Sequence, residues 1–504
     1  MTESIGYLID GFGVALTLEN LMWVFIGVFV GTLVGVLPGL GTPATIAILL
    51  PITINLSPAT GLITMAGIYY GSKYGGSTTS ILLNVPGESS SVVTTIDGYQ
   101  MAKQGRAGPA LGMAAIASFI AGTFGVIGLT ILALPIARWA LTFGPPEYFA
   151  LVFMGLVSIV FLAGTSVIKG FISAVLGLLL ATIGSDIVSG ETRFIFGQFQ
   201  LLDGVEFIAL TIGIFALGEV FLNVEKPVGA TIFKVPNRLR ELLPSRQDFM
   251  DSRFAMAQGS VLGFLIGTLP GAGATVASFL SYIVEKRFSR HPERFGKGAV
   301  EGVAAPEAAN NSETGGAMIP LLTLGIPGSG STAVMLGFLV LYGLQPGPLL
   351  FTERPEVVWP VIASMYIGNV ALLILNLPLV PMWASILRFP YYVIYPAILL
   401  ISVVGVYSVH GSIFDVWMLM LFGVVGYVMR KVDIPAPPLV LAFVLGPIAE
   451  RAFRQSLVMS QGSLDIFITR PLSLALLIIA VVLLVLPLFG KARRLRQNVV
   501  EEEV

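Results

Sequence analysis

The chain has 504 residues, 55% of them hydrophobic and 11% charged, with a formal net charge of −1. A soluble domain carries about 25% charged residues, and a mean hydropathy of +0.88 leaves too few polar side chains to cover a soluble particle of this size. The composition describes a polytopic membrane protein and excludes a soluble enzyme or a nucleic-acid binder, and the absence of cysteine excludes disulfides and thiolate chemistry.

A membrane-spanning helix needs roughly 20 apolar residues. The N-terminal MTESIGYLID is acidic and lacks the basic n-region of a cleaved signal peptide, so the first span is expected to drive insertion. Uninterrupted apolar runs follow at 111–136, 147–165, 168–188, 206–224, 333–350, 357–380, 391–409, 412–429 and 471–489. Other runs, at 21–54, 61–85, 256–283, 300–330 and 434–449, are interrupted by Gly, Pro and polar residues. The expected fold is all-α, with about ten to twelve transmembrane segments plus re-entrant pieces.

Two motifs recur in the same order. Gly31–Gly41 (GTLVGVLPGLG) aligns with Gly263–Gly273 (GFLIGTLPGAG), 232 residues on. Tyr74–Gly87 (YGGSTTSILLNVPG) resembles Thr314–Gly328 (TGGAMIPLLTLGIPG), 240 to 241 residues on. The pattern predicts two homologous repeats, 20–225 and 256–490, joined by a basic linker, 226–255, and followed by a tail, 491–504.

Charge sets their relative orientation. Lys234, Arg238, Arg240, Arg246 and Arg253 precede segment 256–283, and Lys286, Arg287, Arg290, Arg294 and Lys297 follow it. The positive-inside rule puts both flanks in the cytoplasm, which a single crossing cannot do. A re-entrant hairpin broken at Leu269–Gly273 can, with arms of about 12 residues, or about 18 Å. The matching segment 21–54 breaks at Leu37–Gly41 and is flanked by Asp10 and Glu19 with no basic residue, as expected on the opposite side. Lys103 and Arg106 put loop 88–108 in the cytoplasm, so the repeats have inverted topology. The N-terminus is then periplasmic. Lys491, Arg493, Arg494 and Arg496 make the C-terminus cytoplasmic, which requires a later segment, best 434–449, not to cross fully.

Irregular backbone at membrane depth is tolerated only inside protein or beside a watery cavity. Inverted repeats with paired broken helices point to a carrier's binding site, where helix N-termini offer free N–H groups and positive dipole ends. The candidate substrate site comprises Pro38, Gly39, Gly41, Thr42, Lys73, Gly75, Gly76, Ser77, Thr78 and Asn84 in the first repeat. In the second it comprises Pro270, Gly271, Gly273, Asn310, Asn311, Thr314, Gly315, Gly316, Pro327, Gly328 and Ser329. Hydroxyls, amides and helix N-termini suit a multivalent carboxylate. Glu307, Glu313 and Ser312 are candidates for ion coupling, through oxygen ligands to Na⁺ or by proton transfer.

Blander readings stand beside these. The pairs Gly31/Gly35 and Gly263/Gly267 fit close helix packing better than ligand binding. Lys73 has no nearby acid in sequence; it either contacts substrate or snorkels and caps carbonyls. Glu307 and Glu313 either bind a cation or proton or pair within the fold. The loop Asp97–Lys103 either gates access or is a solvated connector. His410 lies near a span end and His291 between spans, which leaves little for zinc or haem. An intramembrane enzyme would need a nucleophile with its base, paired acids or metal ligands; no such set is legible. A passive channel would not need an inverted repeat.

These motifs resemble the large membrane subunit of the tripartite tricarboxylate transporters, the TctA family. The resemblance rests on Gly35–Gly41 (GVLPGLG), Tyr70–Gly87 (YGSKYGGSTTSILLNVPG), Val93–Lys103 (VTTIDGYQMAK), Ala305–Gly316 (APEAANNSETGG) and Ile319–Ser329 (IPLLTLGIPGS), and extends over about residues 20–490. It implies a translocating subunit in the bacterial inner membrane, working with a small four-helix membrane subunit and a periplasmic solute-binding protein. The implied cargo is a tricarboxylate such as citrate, or a dicarboxylate or aromatic acid, driven by an ion gradient. No cofactor is implied beyond a coupling Na⁺ or H⁺. The lack of a Gly-x-x-x-x-Gly-Lys-Ser/Thr loop agrees with ATP-independence. An elevator-like motion follows by analogy only. A homo-oligomer is compatible with all of this.

Overall fold

The computed structural model describes residues 2–37, 41–162, 166–186, 189–225, 238–271, 273–387 and 391–485. Pro38 and Gly39, residues 226–237 of the linker 226–255 including Lys234, and the tail 491–504 lie outside the described residues. The protein is built from α-helices; the described strands form one two-stranded ladder, Gly184–Ser185 against Thr192–Arg193. Its principal helices are α1 Thr2–Ala15, α2 Leu18–Val36, α3 Thr42–Thr53, α4 Pro58–Leu83, α5 Val92–Lys103, α6 Ala107–Ala140, α7 Pro145–Leu162 and α8 Val167–Ala181. They continue as α9 Phe207–Val224, which contains a π-helical stretch at Ile212–Leu217, then α10 Arg246–Gly267, α11 Gly273–Phe288, α12 Glu301–Ile319 and α13 Gly330–Leu341. The last six are α14 Pro355–Asn376, α15 Val380–Ile386, α16 Tyr391–His410, α17 Ile413–Lys431, α18 Pro437–Met459 and α19 Pro471–Val485. Five of these, α2, α6, α9, α14 and α17, are long and apolar enough to cross a membrane, and several shorter apolar helices accompany them.

Chain breaks stand where Pro-Gly-x-Gly occurs, between α2 and α3 and between α10 and α11. At the second break Gly271 (φ +83°) and Gly273 (φ +63°) are left-handed, a conformation that side chains bearing a Cβ rarely adopt. Three expected boundaries differ. Segment 61–85 is one unbroken helix as far as Leu83, because Gly71, Gly75 and Gly76 serve packing rather than a turn. The run 333–350 ends as a helix at Leu341 and restarts as a short helix, Pro348–Glu353, because Gly343 (φ +65°) and Gly347 (φ +127°) redirect the chain. The run 434–449 continues to Met459, where Glu450 and Arg454 pair one turn apart at 2.7 Å.

The Gly-x-x-x-Gly pairs do pack helices. α2 runs parallel to α4: a Cβ at Gly27, Gly31 or Gly35 would lie 2.5, 2.6 or 2.3 Å from the carbonyl oxygens of Thr64, Ile68 and Ser72. α10 runs parallel to α12 in the same way, with Gly259, Gly263 and Gly267 at 2.6, 2.1 and 2.5 Å from the carbonyls of Ala305, Ala309 and Glu313. Backbone cannot yield as a flexible side chain does, so alanine at Gly263 would push α10 off α12.

The basic loops share one end of the molecule. Gln104 donates to the Lys297 carbonyl at 2.7 Å, and Arg106 pairs with Asp248 at 2.5 Å. Asp97 accepts from the Gly298 and Ala299 amides, both at 2.8 Å, and from the Tyr282 hydroxyl at 2.9 Å. Asp97 therefore pins α5 to the start of α12, within a helix rather than a loop. Helix α6, about 51 Å long at 1.5 Å per residue, carries the chain to the other end, where Arg138 pairs with Glu3 and Arg470 with Glu147.

Candidate functional site

Helix α4 is the scaffold of the site. Ser57 caps its start by accepting from the Thr60 amide at 3.2 Å, and Pro58 fits the first turn, where no N–H partner is needed. Asn84 ends it in the left-handed conformation (φ 58°), exposed, and the chain then turns back at Pro86–Gly87. A Cβ at Gly87 would fall 1.9 Å from the Gly35 carbonyl, so only glycine lets the loop press against α2 and deliver the next residue, Glu88, inward.

Glu88 is the acid that pairs with Lys73. Their charged ends meet directly, and both side chains are 7% exposed. Glu88 Oε2 lies 2.6 Å from Thr42 Oγ1 and 3.1 Å from Ser72 Oγ; Oε1 also accepts from Ser90 Oγ at 2.7 Å. Thr42 and Ser72 touch each other at 2.7 Å. One carboxylate thus sits among a cation and three hydroxyls drawn from α3, α4 and the loop before α5. Charge-assisted hydrogen bonds of this kind are about twice as strong as neutral ones.

The other chain break reaches the same place. Ser89 Oγ accepts from Thr275 Oγ1, on the first turn of α11, at 3.1 Å. Ser329 caps α13 through a reciprocal pair with Thr332, and a Cβ at neighbouring Gly330 would lie 3.2 Å from the Pro43 ring of α3. A Cβ at Gly328 would lie 3.7 and 3.8 Å from the carbonyl oxygens of Gly267 and Leu269, at and just past the end of α10. The N-terminal end of α3 therefore touches Glu88 through Thr42, and those of α11 and α13 lie beside it, reaching its neighbours Ser89 and Pro43.

Two more carboxylates lie on α12, both with no exposed surface. Glu313 Oε2 accepts from the Tyr69 hydroxyl at 2.9 Å, and the Lys73 ammonium lies 5.4 Å from the Tyr69 ring centre. Glu313 Oε1 has no hydrogen-bond partner among the described residues. Glu307 is the opposite case. Its Oε2 is 2.6 Å from Ser77 Oγ, 3.3 Å from Asn310 Nδ2 and 3.5 Å from Ser118 Oγ, and its Oε1 accepts from Thr94. Asn311 donates to Ser118 Oγ at 2.7 Å and to Asn310 Oδ1 at 2.5 Å. Glu307 thus ties together α4, α5, α6 and α12.

The sequence-predicted residues divide accordingly. Thr42, Lys73 and Ser329 stand at or beside the convergence, with Gly41 as the N-cap of α3. Ser77, Asn310 and Asn311 serve Glu307, and Thr78 lines a small cavity with Ser77, Ser118 and Tyr74. Gly75, Gly315 and Gly316 are packing contacts, 2.2, 2.4 and 2.3 Å from backbone atoms of Thr32, Gly125 and Phe264 when given a Cβ, and Gly76 abuts Ser91 and Glu88. Ser312 donates to the Ser260 carbonyl and Thr314 to the Asn311 carbonyl, each at 2.7 Å. Pro270 and Gly271 form the turn after α10, with Gly271 against Ile159. Pro327 precedes Gly328. The reading that Lys73 lacks an acid is corrected: Glu88 stands 15 positions on, beyond a helix end. Tyr69, Ser90, Thr94 and Ser118 were also missed.

Buried charge at a junction of helix ends, on an apolar multi-helix scaffold, fits a carrier. The description "Tripartite tricarboxylate transporter TctA family" matches residues 21–441. The chain belongs to the TctA family. This TctA family chain is 46% identical over 507 residues, the full length of both, to an "Uncharacterized 52.8 kDa protein in TAR-I ttuC' 3'region" of Agrobacterium vitis. It is 44% identical over 241 residues to an "Uncharacterized protein in TAR-II ttuC' 3'region" of the same organism, covering 48% of this chain and all of that one. No solved structure matches it. TctA is a transporter family, whose large subunit works with a binding protein and a small membrane subunit.

Proposed function

We propose that this TctA family chain is the translocating subunit of a binding-protein-dependent secondary transporter that imports di- or tricarboxylates such as citrate. Its partners are a small four-helix membrane subunit and a periplasmic binding protein, and the drive is a Na⁺ or H⁺ gradient. The convergence of three helix N-termini on one buried carboxylate-holding cluster is the observation that carries the reading, because such ends favour anions. The residue-for-residue match between the α2–α4 and α10–α12 contacts supports two inverted repeats, 20–225 and 256–490. It also supports alternating access by an elevator-like movement of the part that holds both chain breaks. A related organic acid, such as a dicarboxylate or aromatic acid, is the alternative cargo.

The shared basic end is assigned to the cytoplasm of a bacterial inner membrane, with the N-terminus periplasmic and the C-terminus cytoplasmic. Since the protein has no cysteine, single replacements report sides cleanly. A membrane-impermeant maleimide added to intact cells should label Phe196→Cys and spare Arg294→Cys; the reverse pattern would invert the topology.

Transport is tested by labelled citrate uptake in cells without other citrate carriers, expressing all three subunits, at fixed membrane potential. Uptake that needs the binding protein and a sodium gradient is the expected result. Uptake that follows protons instead keeps the carrier and changes the ion. No uptake under either gradient discards citrate, and absence of uptake for every acid the binding protein holds discards the function.

A further inference from the structure

We propose that Glu88 is a tethered carboxylate occupying, in the substrate-free protein, the position that one carboxylate of an incoming acid takes. The proposal rests on the carboxylate-import reading and specifies the atoms of its site. Lys73 Nζ, Thr42 Oγ1, Ser72 Oγ and Ser90 Oγ are all within hydrogen-bond reach of the two Glu88 oxygens. That is a cation and three hydroxyls around one carboxylate, at low exposure. Nothing in this donor set is particular to a glutamate side chain. A free carboxylate, with the same two oxygens and charge, satisfies it equally.

The tether has a consequence. Glu88 hangs from the short Asn84–Ser91 connection, capped by its own reciprocal pair with Ser91. A tethered group acts at an effective concentration in the millimolar range or above. A single free carboxylate therefore competes poorly with it, whereas an acid that offers a second or third carboxylate to the neighbouring helix N-termini gains enough to displace it. The device would discriminate against monocarboxylates and would keep Lys73 neutralised when no substrate is bound.

The test uses the purified full chain in detergent, with acetate as the probe and thermal unfolding as the readout. Glu88→Ala should begin below wild type. Sodium acetate, against sodium chloride of equal ionic strength, should raise its midpoint by about 1 °C for each tenfold increase in concentration once the site is filled. Wild type should stay flat, since its own carboxylate fills the place, and the Lys73→Ala, Glu88→Ala double variant should not respond. A folded Glu88→Ala protein indifferent to acetate overturns the proposal. If that variant does not insert, Glu88→Ser carries the test, because the short side chain leaves the carboxylate's place open and Lys73 uncompensated. Acetate should again stabilise it, and a folded Glu88→Ser protein that ignores acetate overturns the proposal equally. The readout is independent of transport. Acetate rescue in a protein that moves no acid would discard the import reading and keep the site; acid uptake by wild type with an unresponsive Glu88→Ala would do the reverse.

Discussion

Lys73→Ala is expected to destabilise the folded protein by about 3–5 kcal/mol, the range for removing one partner of a buried ion pair. The cost comes less from the lost attraction than from what remains. Glu88 would keep three hydroxyl contacts but hold a charge with no cation beside it, in a setting where its side chain is 7% exposed. Removing both charges should therefore cost less than removing Lys73 alone, and the Lys73→Ala, Glu88→Ala double variant should recover part of the loss. The contrast is Arg138 with Glu3, where both side chains are about half exposed. Exposed pairs contribute about 0–1 kcal/mol, so Arg138→Ala should barely move the midpoint. Melting of the four proteins without substrate separates folding from binding. A Lys73→Ala variant as stable as wild type would mean that the pair does not hold the site together.

Much of the architecture is legible because hydropathy and Gly/Pro punctuation are local signals. The breaks beside Gly41 and Gly271 follow from Pro-Gly-x-Gly, since backbone that must turn sharply needs those residues. The same residues mislead at Gly71, Gly75 and Gly76. There, small side chains let two backbones approach, and a glycine that lines a helix contact reads in one dimension like one that makes a turn. The site is legible as a set of residue types rather than as pairs. Glu307 and Glu313 stand out because charge is rare in an apolar segment. Their partners are invisible: Tyr69 lies 244 positions from Glu313, and Thr94 lies 213 from Glu307. Glu88 is closer, 15 positions from Lys73. It is hidden by the reversal at Asn84 and Gly87, which no periodicity announces.

The two buried glutamates of α12 separate by what surrounds each oxygen. Glu307 finds donors on both of its oxygens from four helices, so its charge is compensated in place and its role is to fix α12 against α4, α5 and α6. Among the described residues Glu313 has one partner, Tyr69, and a bare Oε1. Lys73, the nearest cation, is committed to Glu88. A buried carboxylate so exposed to its own charge is stable when it carries a proton or a cation at Oε1 and costly otherwise. That dependence is what couples a site to an ion. Glu313→Gln keeps the volume and an oxygen for Tyr69 but takes neither proton nor charge. Gradient-driven accumulation of labelled acid in proteoliposomes should fall roughly tenfold to hundredfold, the range of ordinary coupling free energies. Exchange of internal for external acid, which needs no net ion movement, should stay within a few-fold. Glu307→Gln should instead lower the yield of folded protein and depress both activities together, because an amide N–H₂ placed among Ser77, Ser118 and Asn310 disrupts the network. Accumulation by Glu313→Gln at the wild-type level would remove Glu313 from the coupling path and leave its bare oxygen as a feature of this one conformation.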